Sequence, residues 1–329
     1  MASALVRPFF SKVRLPSVSA AFLFPRTRRG WRLLLAAAVL AEFPWQVSAK
    51  EFVFVAYNLA NYGPLPEPGR KKPAKSARST EAVIRVLKSL EPDVIGVCEM
   101  GSPKQFDDFR RRLSEAGLHY PEAEYLEGAD PDRRLALVSR IPIVARNSQP
   151  DLSFDADGSH EKVRRGLLDV TLRTESGFRL RFVGLHLKSK LPIREGETLI
   201  RRHESHLVRQ HVEAIMAAEP ELPLLVYGDF NDTKESIGVR AISGTRGSPM
   251  ALTALPLADD LGDRWTHHWS ATDIYSRIDF ILVNRAASRA VVRERSSIAR
   301  VAEWARASDH RPLVVHFRAL TPERLSSLP

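Results

Sequence analysis

Much of the chain after residue 49 consists of short apolar runs that end in polar side chains. The segment Glu51–Asn58 (EFVFVAYN) is almost continuously apolar, and so is Asp93–Glu99 (DVIGVCE). Runs of this length without strict alternation are typical of strands that are buried on both faces. The same pattern predicts further strands at Leu135–Ser139, Leu168–Leu172, Leu180–His186, Pro223–Asp229, Ile278–Asn284 and Leu313–Phe317.

Apolar residues at helical spacing occur between some of these strands. A first helix is predicted after Ser79 or Thr80, either of which could cap it, and it ends before Pro92. Its apolar positions are Val83, Ile84, Leu87 and Leu90. A second helix is predicted from about Glu197 to Ala218, with the inward positions Ile200, Leu207, His211 and Ile215. Strands and helices do not alternate strictly, which favours a layered α/β fold with mixed sheets.

Residues 1–49 have the pattern of an export leader. The basic stretch RTRRGWR precedes an apolar run, Leu33–Ala41, and Val47-Ser48-Ala49 fits a signal-peptidase site. The apolar run is shorter than the roughly 20 residues of a membrane-spanning helix. We therefore expect a signal peptide or N-terminal anchor at 1–49, one domain at 50–329, and an exported protein, periplasmic or extracellular.

The net charge of the chain is +10, and an excess of basic residues is a common feature of proteins that bind nucleic acids. Seven basic residues and one acidic residue lie in 1–49, so six of the ten net positive charges belong to the predicted leader. The domain that follows is only mildly basic. Net charge therefore does not identify the substrate.

The chain has a single cysteine, Cys98, which excludes a disulfide within the chain. It lies in the apolar run VIGVCE with no base beside it, so we expect a buried, unreactive thiol. The sequence has no glycine-rich phosphate loop, no G-x-S-x-G nucleophile elbow and no Cys/His zinc cluster. No serine or cysteine nucleophile is therefore indicated.

Asn, Asp, Glu or His stands at one end of six apolar strands. These residues are Asn58, Glu99, His186, Asp229 with Asn231, Asp279, and Asp309 with His310. Strand ends are where an α/β scaffold exposes functional groups to a crevice. Carboxylate and amide oxygens suit Mg²⁺, Mn²⁺ or Ca²⁺, and imidazoles can bind a phosphate or transfer a proton. This set of residues predicts metal-assisted attack of water on a phosphate ester.

The motifs AYN, IGVCEM, GLHLKSK, YGDFND, RIDFILVN and SDHRPL follow one another between Ala56 and Leu313. This series resembles the endonuclease/exonuclease/phosphatase superfamily, which includes secreted deoxyribonucleases, apurinic-site endonucleases, neutral sphingomyelinases and inositol polyphosphate 5-phosphatases. The resemblance implies a four-layer α/β/β/α sandwich of two packed mixed β-sheets flanked by helices. It also implies an active site where the two sheets open at one edge.

The resemblance assigns a metal site and a water-activating group to matched positions. Glu99 is expected to be the principal metal ligand, and Asn58 and Asp309 to help hold the metal or its waters. The expected metal is Mg²⁺, with Mn²⁺ or Ca²⁺ as alternatives. Asp229 is expected to orient or deprotonate the attacking water, and Asn231 beside it to contact the phosphate.

Other matched positions are implied to contact the phosphate ester. His310 is expected to stabilise the transition-state charge, and Asp279 to orient His310 and favour its protonated form. His186 is expected to make a second phosphate contact and could assist the leaving group. Lys188 and Arg165 are candidate substrate-binding residues, with a solvated loop lysine and an edge salt bridge as the respective alternatives.

Further histidines and one basic loop are open to a functional or a structural interpretation. His203 and His206 could share a metal on one helix face, but a solvated face accounts for them better. His267 and His268 could line the crevice, but core or loop packing is the preferred interpretation. The basic loop Arg70–Arg78 could meet a polyanion, although such runs are usually just solvated.

Three functions remain open from the sequence. The first is a secreted nuclease that hydrolyses phosphodiesters of DNA or RNA. The second is a sphingomyelinase-like or other lipid or small-molecule phosphodiesterase or phosphatase; no long aromatic hairpin for a membrane is recognisable, and loops 63–78 and 236–262 are polar or mixed. The third is a non-catalytic binding protein, which the presence of Glu99, Asp229 and His310 disfavours. We expect a monomer without an obligate protein partner.

Overall fold

The computed structural model of the protein describes residues 50–62, 75–156, 158–194 and 196–327. The predicted leader at 1–49 and most of the basic loop 70–78 lie outside these residues. Among the helices that are described, none is both long enough and apolar enough to cross a membrane.

The described part of the chain alternates irregularly between strands and helices. The strands are, in order, β1 (Glu51–Asn58), β2 (Val94–Cys98), β3 (Glu122–Leu126), β4 (Leu135–Ser139), β5 (Ile143–Arg146), β6 (Ser153–Ala156), β7 (Ser159–Lys162), β8 (Leu168–Arg173), β9 (Arg179–His186), β10 (Leu224–Asp229), β11 (Thr253–Ala254), β12 (His267–Trp269), β13 (Ile274–Ser276), β14 (Asp279–Val283), β15 (Val291–Ile298) and β16 (Leu313–Arg318). The helices are α1 (Ala77–Leu90), α2 (Pro103–Glu115), α3 (Glu197–Ala218), α4 (Ile237–Ser243), α5 (Arg285–Ala290), α6 (Trp304–Ala307) and α7 (Pro322–Ser327). Every strand predicted from an apolar run is present, and each end lies within one residue of the prediction.

Two six-stranded mixed sheets form the centre of the fold. The first has the order β15-β16-β1-β2-β4-β3, and the second has the order β11-β14-β10-β9-β8-β5. Each sheet has one parallel pair at its middle, β1 with β2 and β9 with β10. The strands that flank these pairs, including β16 and β14, run antiparallel to their neighbours. Two short hairpins, β6–β7 and β12–β13, lie outside the sheets.

Alternate residues of the central strands face two different apolar layers. Phe54 of β1 packs edge-on against Phe182 of β9, with ring centroids 5.0 Å apart, in the core between the sheets. The neighbouring Val55 joins the outer core, which includes residues of α1 and α2. A third core lies between the second sheet and the helices α3 and α4. The predicted four-layer α/β/β/α sandwich is confirmed, and covering both faces explains why the strands are apolar throughout.

Close contact between the sheets depends on one glycine opposite one tyrosine. Tyr227 of β10 is buried, and its ring packs edge-on against Phe54, with centroids 4.9 Å apart. A Cβ atom on Gly96 of β2 would overlap the Tyr227 ring. The nearby Cys98 is also buried, and burial raises the pKa of its thiol well above the usual range. The predicted burial of this thiol is therefore confirmed, and a raised pKa disfavours the reactive thiolate.

The two predicted helices are present, with two local differences. Helix α1 begins one turn earlier than predicted, because the Ser76 side chain accepts a hydrogen bond from the Ser79 amide and caps it. The prediction that Ser79 or Thr80 caps this helix is therefore wrong. Helix α3 has the predicted ends, but Leu207 is only half-buried, and the next residue, Val208, packs into the core instead.

A buried carboxylate anchors α3 to the second sheet. Asp169 of β8 is fully buried and accepts two hydrogen bonds from Arg181, at 2.7 and 2.6 Å. His211 of α3 lies 2.7 Å from the same carboxylate. Burial opposes the charge of Asp169, but the bonds from His211 and Arg181 outweigh it and hold the pKa of Asp169 below its usual range. The charged carboxylate therefore stabilises the native state.

We expect Asp169→Asn to lower the free energy of unfolding at pH 7 by about 3 kcal/mol, because the partly buried Arg181 loses its charged partner. The native pKa of Asp169 is depressed, so its contribution is complete above the unfolded pKa of about 4 and is lost as the pH falls through the lower native value. Urea unfolding at pH 7 and pH 3 measures the difference, with the exposed Asp151→Asn as control. An equal loss of stability in the two variants at pH 7 would show that the Asp169 cluster contributes nothing.

Candidate active site

Polar residues from both sheets meet at one edge of the sandwich. Asn58 ends β1 and Glu99 directly follows β2. In the second sheet, Asp229 at the end of β10 is in register with His186 on one side and with Asp279 on the other. The Asn58 amide donates a hydrogen bond of 3.1 Å to Asp229 and so joins the two sheets. The strand-end residues predicted from the sequence therefore share one site.

His310 lies in the middle of this site, just before β16. Its Nδ1 is 2.8 Å from Asp279 Oδ2. Its Nε2 is 3.9 Å from Asp229 Oδ2 and 3.8 Å from Asp309 Oδ1. The bond to Asp279 fixes the plane of the ring, so that Nε2 is left to face the site.

The carboxylates around His310 decide its protonation state. Burial opposes the charge of the imidazolium, but Asp279, Asp229 and Asp309 outweigh it and raise the pKa of His310 to about 10. A raised pKa means that the charged form is present at neutral pH and is lost only as the pH rises through about 10. His310 can therefore present a positive N–H to a phosphate oxygen.

We expect Asp279→Asn to lower the pKa of His310 by more than one unit in the metal-free protein, because Asp279 is the largest charge that favours the imidazolium. The measurement is an NMR titration of the His310 imidazole in the presence of a chelator. The exposed Asp273→Asn, beside His268, serves as the control. An unchanged His310 titration in the Asp279 variant would remove Asp279 from the proposed orienting role.

His186 occupies a different electrostatic environment from His310. Its Nε2 lies 3.6 Å from Asp229 Oδ2 and 3.9 Å from Glu99 Oε1. Burial, together with the nearby charge of Arg165, lowers the pKa of His186 well below its usual range. His186 is thus neutral at physiological pH, and it can offer one N–H but no charge to a phosphate or leaving group.

Asp229 is the carboxylate at the centre of the site. Its Oδ1 accepts a hydrogen bond of 2.7 Å from the backbone N–H of Asn231, and its Oδ2 accepts the hydrogen bond from the side-chain amide of Asn58. Burial, followed by repulsion from Asp279, raises the pKa of Asp229 above its usual range. A carboxylate with a raised pKa is a better proton acceptor, which fits the predicted role in activating water.

Two residues of the site have a left-handed backbone. Glu99 has a φ of 62° and Asn231 has a φ of 51°. A left-handed φ is uncommon for residues with a Cβ and costs conformational energy, more for Glu than for Asn. At Asn231 the turn brings its side-chain amide to the Leu187 carbonyl at 2.9 Å. Such local strain is often found at functional sites.

The predicted metal ligands offer oxygen atoms of the kind that Mg²⁺ prefers. Glu99 and Asp309 supply carboxylates, and Asn58 supplies an amide oxygen. The nearby Lys75 is affected by these two carboxylates. Burial lowers the pKa of Lys75 to about 8, and the negative charges of Asp309 and Glu99 partly offset that decrease. The chemistry of the donor set fits a divalent cation. Among the described residues, the tight groups of acidic and histidine side chains able to hold a metal include Asp309, with His267 and His310, but not Glu99.

The two predicted substrate-binding residues both make contacts with the protein itself. Lys188 Nζ donates to the carbonyls of Ser189 and Leu191, both at 2.9 Å, and the whole residue is buried. This geometry argues against the predicted substrate contact of Lys188, because its ammonium holds the following loop instead. Arg165 is also buried, 3.4 Å from Asp130, and it acts on the site through its charge near His186.

Three residues that the sequence analysis did not place in the site belong to it. Arg133 Nε lies 3.8 Å from Glu99 Oε1. Lys75, at the described end of the basic loop 70–78, donates to the Ala60 carbonyl at 3.3 Å, and the charges of Asp309 and Glu99 act on its pKa. His267 Nε2 lies 3.8 Å from Asp309 Oδ2. Core or loop packing was the preferred interpretation of His267, and it is wrong, because β12 carries the side chain into the crevice.

His203 and His206 of α3 contact neighbouring side chains of the protein. His203 stacks on Phe154 of the β6–β7 hairpin, with centroids 5.0 Å apart. His206 is exposed and lies 3.2 Å from Gln210. Among the residues that the structure describes, the groups able to hold a metal do not include either histidine. A metal pair on α3 is therefore not supported.

Comparison with known proteins identifies the family of this fold and site. Residues 55–310 match the sequence profile of the Endonuclease/Exonuclease/phosphatase family. No match was found among curated proteins. The catalytic domain of human nocturnin, solved with a bound sulfate anion, is 19% identical with a TM-score of 0.59, over 81% of this chain and 94% of that chain.

Two further solved structures share the fold. An endonuclease/exonuclease/phosphatase from Bacteroides vulgatus is 19% identical with a TM-score of 0.58, over 82% of this chain and 100% of that one. Sphingomyelinase C from Streptomyces griseocarneus is 17% identical with a TM-score of 0.53, over 82% and 99%. At these identities the structures show the fold alone, whereas the profile match spans most of the chain. The chain belongs to the Endonuclease/Exonuclease/phosphatase family and is a phosphoric ester hydrolase of that family.

Proposed function

We propose that the protein is an exported, divalent-metal-dependent phosphodiesterase that hydrolyses DNA or RNA. The observation that carries the chemistry is the contact between a buried carboxylate and a cationic imidazole. Asp229 has a raised pKa, and His310, whose charge Asp279 favours, lies beside it. Export rests on the sequence pattern of residues 1–49.

Asp229, His310 and Asn58 carry out the proton transfer, charge stabilisation and positioning in the proposed reaction. Asp229 accepts a proton from water, whose oxygen bonds to phosphorus while the bond from phosphorus to the leaving oxygen breaks. The N–H of His310 stabilises the negative charge that develops on the phosphoryl oxygens. The leaving oxygen takes up a proton from solvent. Asn58 holds Asp229 in place through its amide.

Glu99, Asn58 and Asp309 are the residues that would hold a divalent cation. A bound cation supplies Lewis-acid polarisation of the phosphoryl oxygen. Mg²⁺ is the proposed ion because the donors are oxygen atoms, and Mn²⁺ is the alternative that the same donors accept. The positive side chains of Arg133 and Lys75 next to Glu99 add to the attraction for an anionic substrate.

Nucleic acid is proposed as the substrate because the site is bordered by cationic side chains, and nuclease chemistry is part of the family to which the chain belongs. The test is incubation of the purified full-length protein with supercoiled plasmid and with circular single-stranded DNA, with Mg²⁺ or with a chelator. We expect Mg²⁺-dependent nicking that His310→Ala lacks. Cleavage of sphingomyelin vesicles without cleavage of either DNA would favour the sphingomyelinase-like alternative and overturn the nuclease proposal.

A further inference from the structure

The β12–β13 hairpin is bonded directly to the segment that carries His310. The His268 amide donates to the Asp309 carbonyl at 2.9 Å, and the Arg311 amide donates to the Thr266 carbonyl at 2.7 Å. His267 and His310 also form an isolated antiparallel bridge. The position of the hairpin is fixed relative to the catalytic histidine.

One face of this hairpin continues from the catalytic site. His267 is in register with Ser276, and two residues further along, Trp269 is in register with Ile274. Residues two apart on a strand share a face, about 7 Å from one another. The His267 ring lies 4.6 Å from the His310 ring, so this face is directed to the site at one end. Trp269 is 54% exposed and Ile274 is 50% exposed at the other end.

On the opposite face of the hairpin, aromatic side chains of the protein contact one another, although Tyr275 there is 51% exposed. His268 stacks on Tyr275, with centroids 4.2 Å apart and planes 13° apart. Trp265 packs edge-on against Tyr275, and the Arg311 guanidinium lies 4.2 Å above the Trp265 ring. These contacts hold the hairpin rigid. No comparable ring contact is found for Trp269 within the described part of the chain.

We propose that Trp269 and Ile274 form a platform on which a nucleobase next to the scissile phosphate stacks. This inference rests on the proposed nuclease function and specifies its substrate. The Trp269 side chain lies about 7 Å along the strand from His267, whose ring is 4.6 Å from the His310 ring, so the platform begins one side chain beyond a phosphate at His310. Every base has a π-face that an indole can stack on. Because a base in a duplex is already stacked on its neighbours, the platform favours single-stranded substrate over duplex.

The turn of the hairpin favours a nucleobase over a lipid surface. The turn is polar, with the sequence Ser270-Ala271-Thr272-Asp273. The Asp273 side chain is 81% exposed and lies 3.0 Å from His268. Insertion of this tip into a membrane would take the Asp273 carboxylate out of water, which is strongly unfavourable. The exposed Trp269 is therefore accessible to a ligand in solution.

The experiment compares a single-stranded DNA 12-mer with an abasic 12-mer that keeps the sugar–phosphate backbone. We expect Trp269→Ala to raise KM for the base-containing oligomer by about 10-fold while kcat changes little, and to leave KM for the abasic oligomer unchanged. Trp269→Phe restores a low KM. The exposed Leu261→Ala, a residue outside the hairpin, is the matched control and keeps the wild-type KM for both oligomers.

The possible failures separate the two proposals. If the wild type cleaves the 12-mer and Trp269→Ala has the same KM, the platform is overturned and the nuclease proposal stands. If the wild type hydrolyses bis(4-nitrophenyl) phosphate but no oligonucleotide, the nuclease proposal and the platform both fail. Vesicle binding that Trp269→Ala abolishes, with an unchanged KM for the 12-mer, would overturn the platform by showing that the hairpin contacts lipid.

Discussion

Replacement of His310 by alanine should lower kcat for phosphodiester hydrolysis by about 10³-fold. His310 is the group whose raised pKa makes it a charged donor at neutral pH, and no other charged imidazole faces Asp229 among the described residues. The neighbouring His186 cannot replace it, because burial and Arg165 keep that ring neutral. The loss should appear in kcat more than in KM, since the charge on the phosphoryl group grows in the transition state.

The His310 variant needs a measure of folding beside the rate. Removal of the imidazole leaves the buried Asp279 without its partner, which lowers stability in addition to activity. Circular dichroism and urea unfolding of His310→Ala separate the two effects. His119→Ala is the control, because His119 is exposed and its ring lies 3.0 Å from the surface residue Ser114, outside the site. A folded His310→Ala protein with wild-type kcat would exclude His310 from the mechanism.

Loss of the metal or of its principal ligand should have a comparably large effect. A chelator should abolish hydrolysis, and added Mg²⁺ should restore it. Glu99→Gln should raise the Mg²⁺ concentration for half-maximal rate by at least about 100-fold, since even residues that only orient metal ligands contribute 10- to 100-fold to affinity. The Glu99 carboxylate is in the site, because its Oε1 lies 3.9 Å from His186 Nε2 and 3.8 Å from Arg133 Nε.

The control for Glu99 is an acidic residue of similar chemistry outside the site. Glu235→Gln fits, because Glu235 is exposed in the loop before α4. We expect it to keep the wild-type Mg²⁺ dependence. Binding of Mn²⁺, followed by electron paramagnetic resonance, gives a readout independent of turnover. Equal Mn²⁺ affinity in Glu99→Gln and wild type would show that the metal is held elsewhere.

The central strands were predictable because both of their faces are buried, whereas the strands at the sheet edges were not. The strands missed in the sequence include β15 and β3 at the edges of the first sheet, and β11 and β5 at the edges of the second. Their residues are partly exposed, so β3 reads EAEYL and β15 reads VVRERSSI, without an apolar run. The sequence analysis also did not predict helix α2, although Ser102 and Gln105 have the spacing of a capping box, which indicates a helix start.

The site residues, like the strands, include some that the sequence predicts and some that it does not. Asn58, Asp229 and the other strand-end residues were predictable, because a strand end fixes its side chain at the edge of the sheet. Arg133 and Lys75 stand in loops, and their approach to Glu99 depends on contacts distant in sequence. His267 depends on a hairpin of only three residues in each strand, too short for its alternation to be recognised.

Hydrolysis of bis(4-nitrophenyl) phosphate tests most directly whether the cross-sheet cluster is a metal-dependent phosphoesterase site, because this substrate needs no base, lipid or protein contact. The full-length protein is assayed with Mg²⁺, with a chelator, and as the His310→Ala variant. We expect Mg²⁺-dependent hydrolysis that the chelator abolishes and that His310→Ala lowers by about 10³-fold. Hydrolysis that survives the chelator, or that persists at the wild-type rate in His310→Ala, would contradict a metal-dependent site at this cluster.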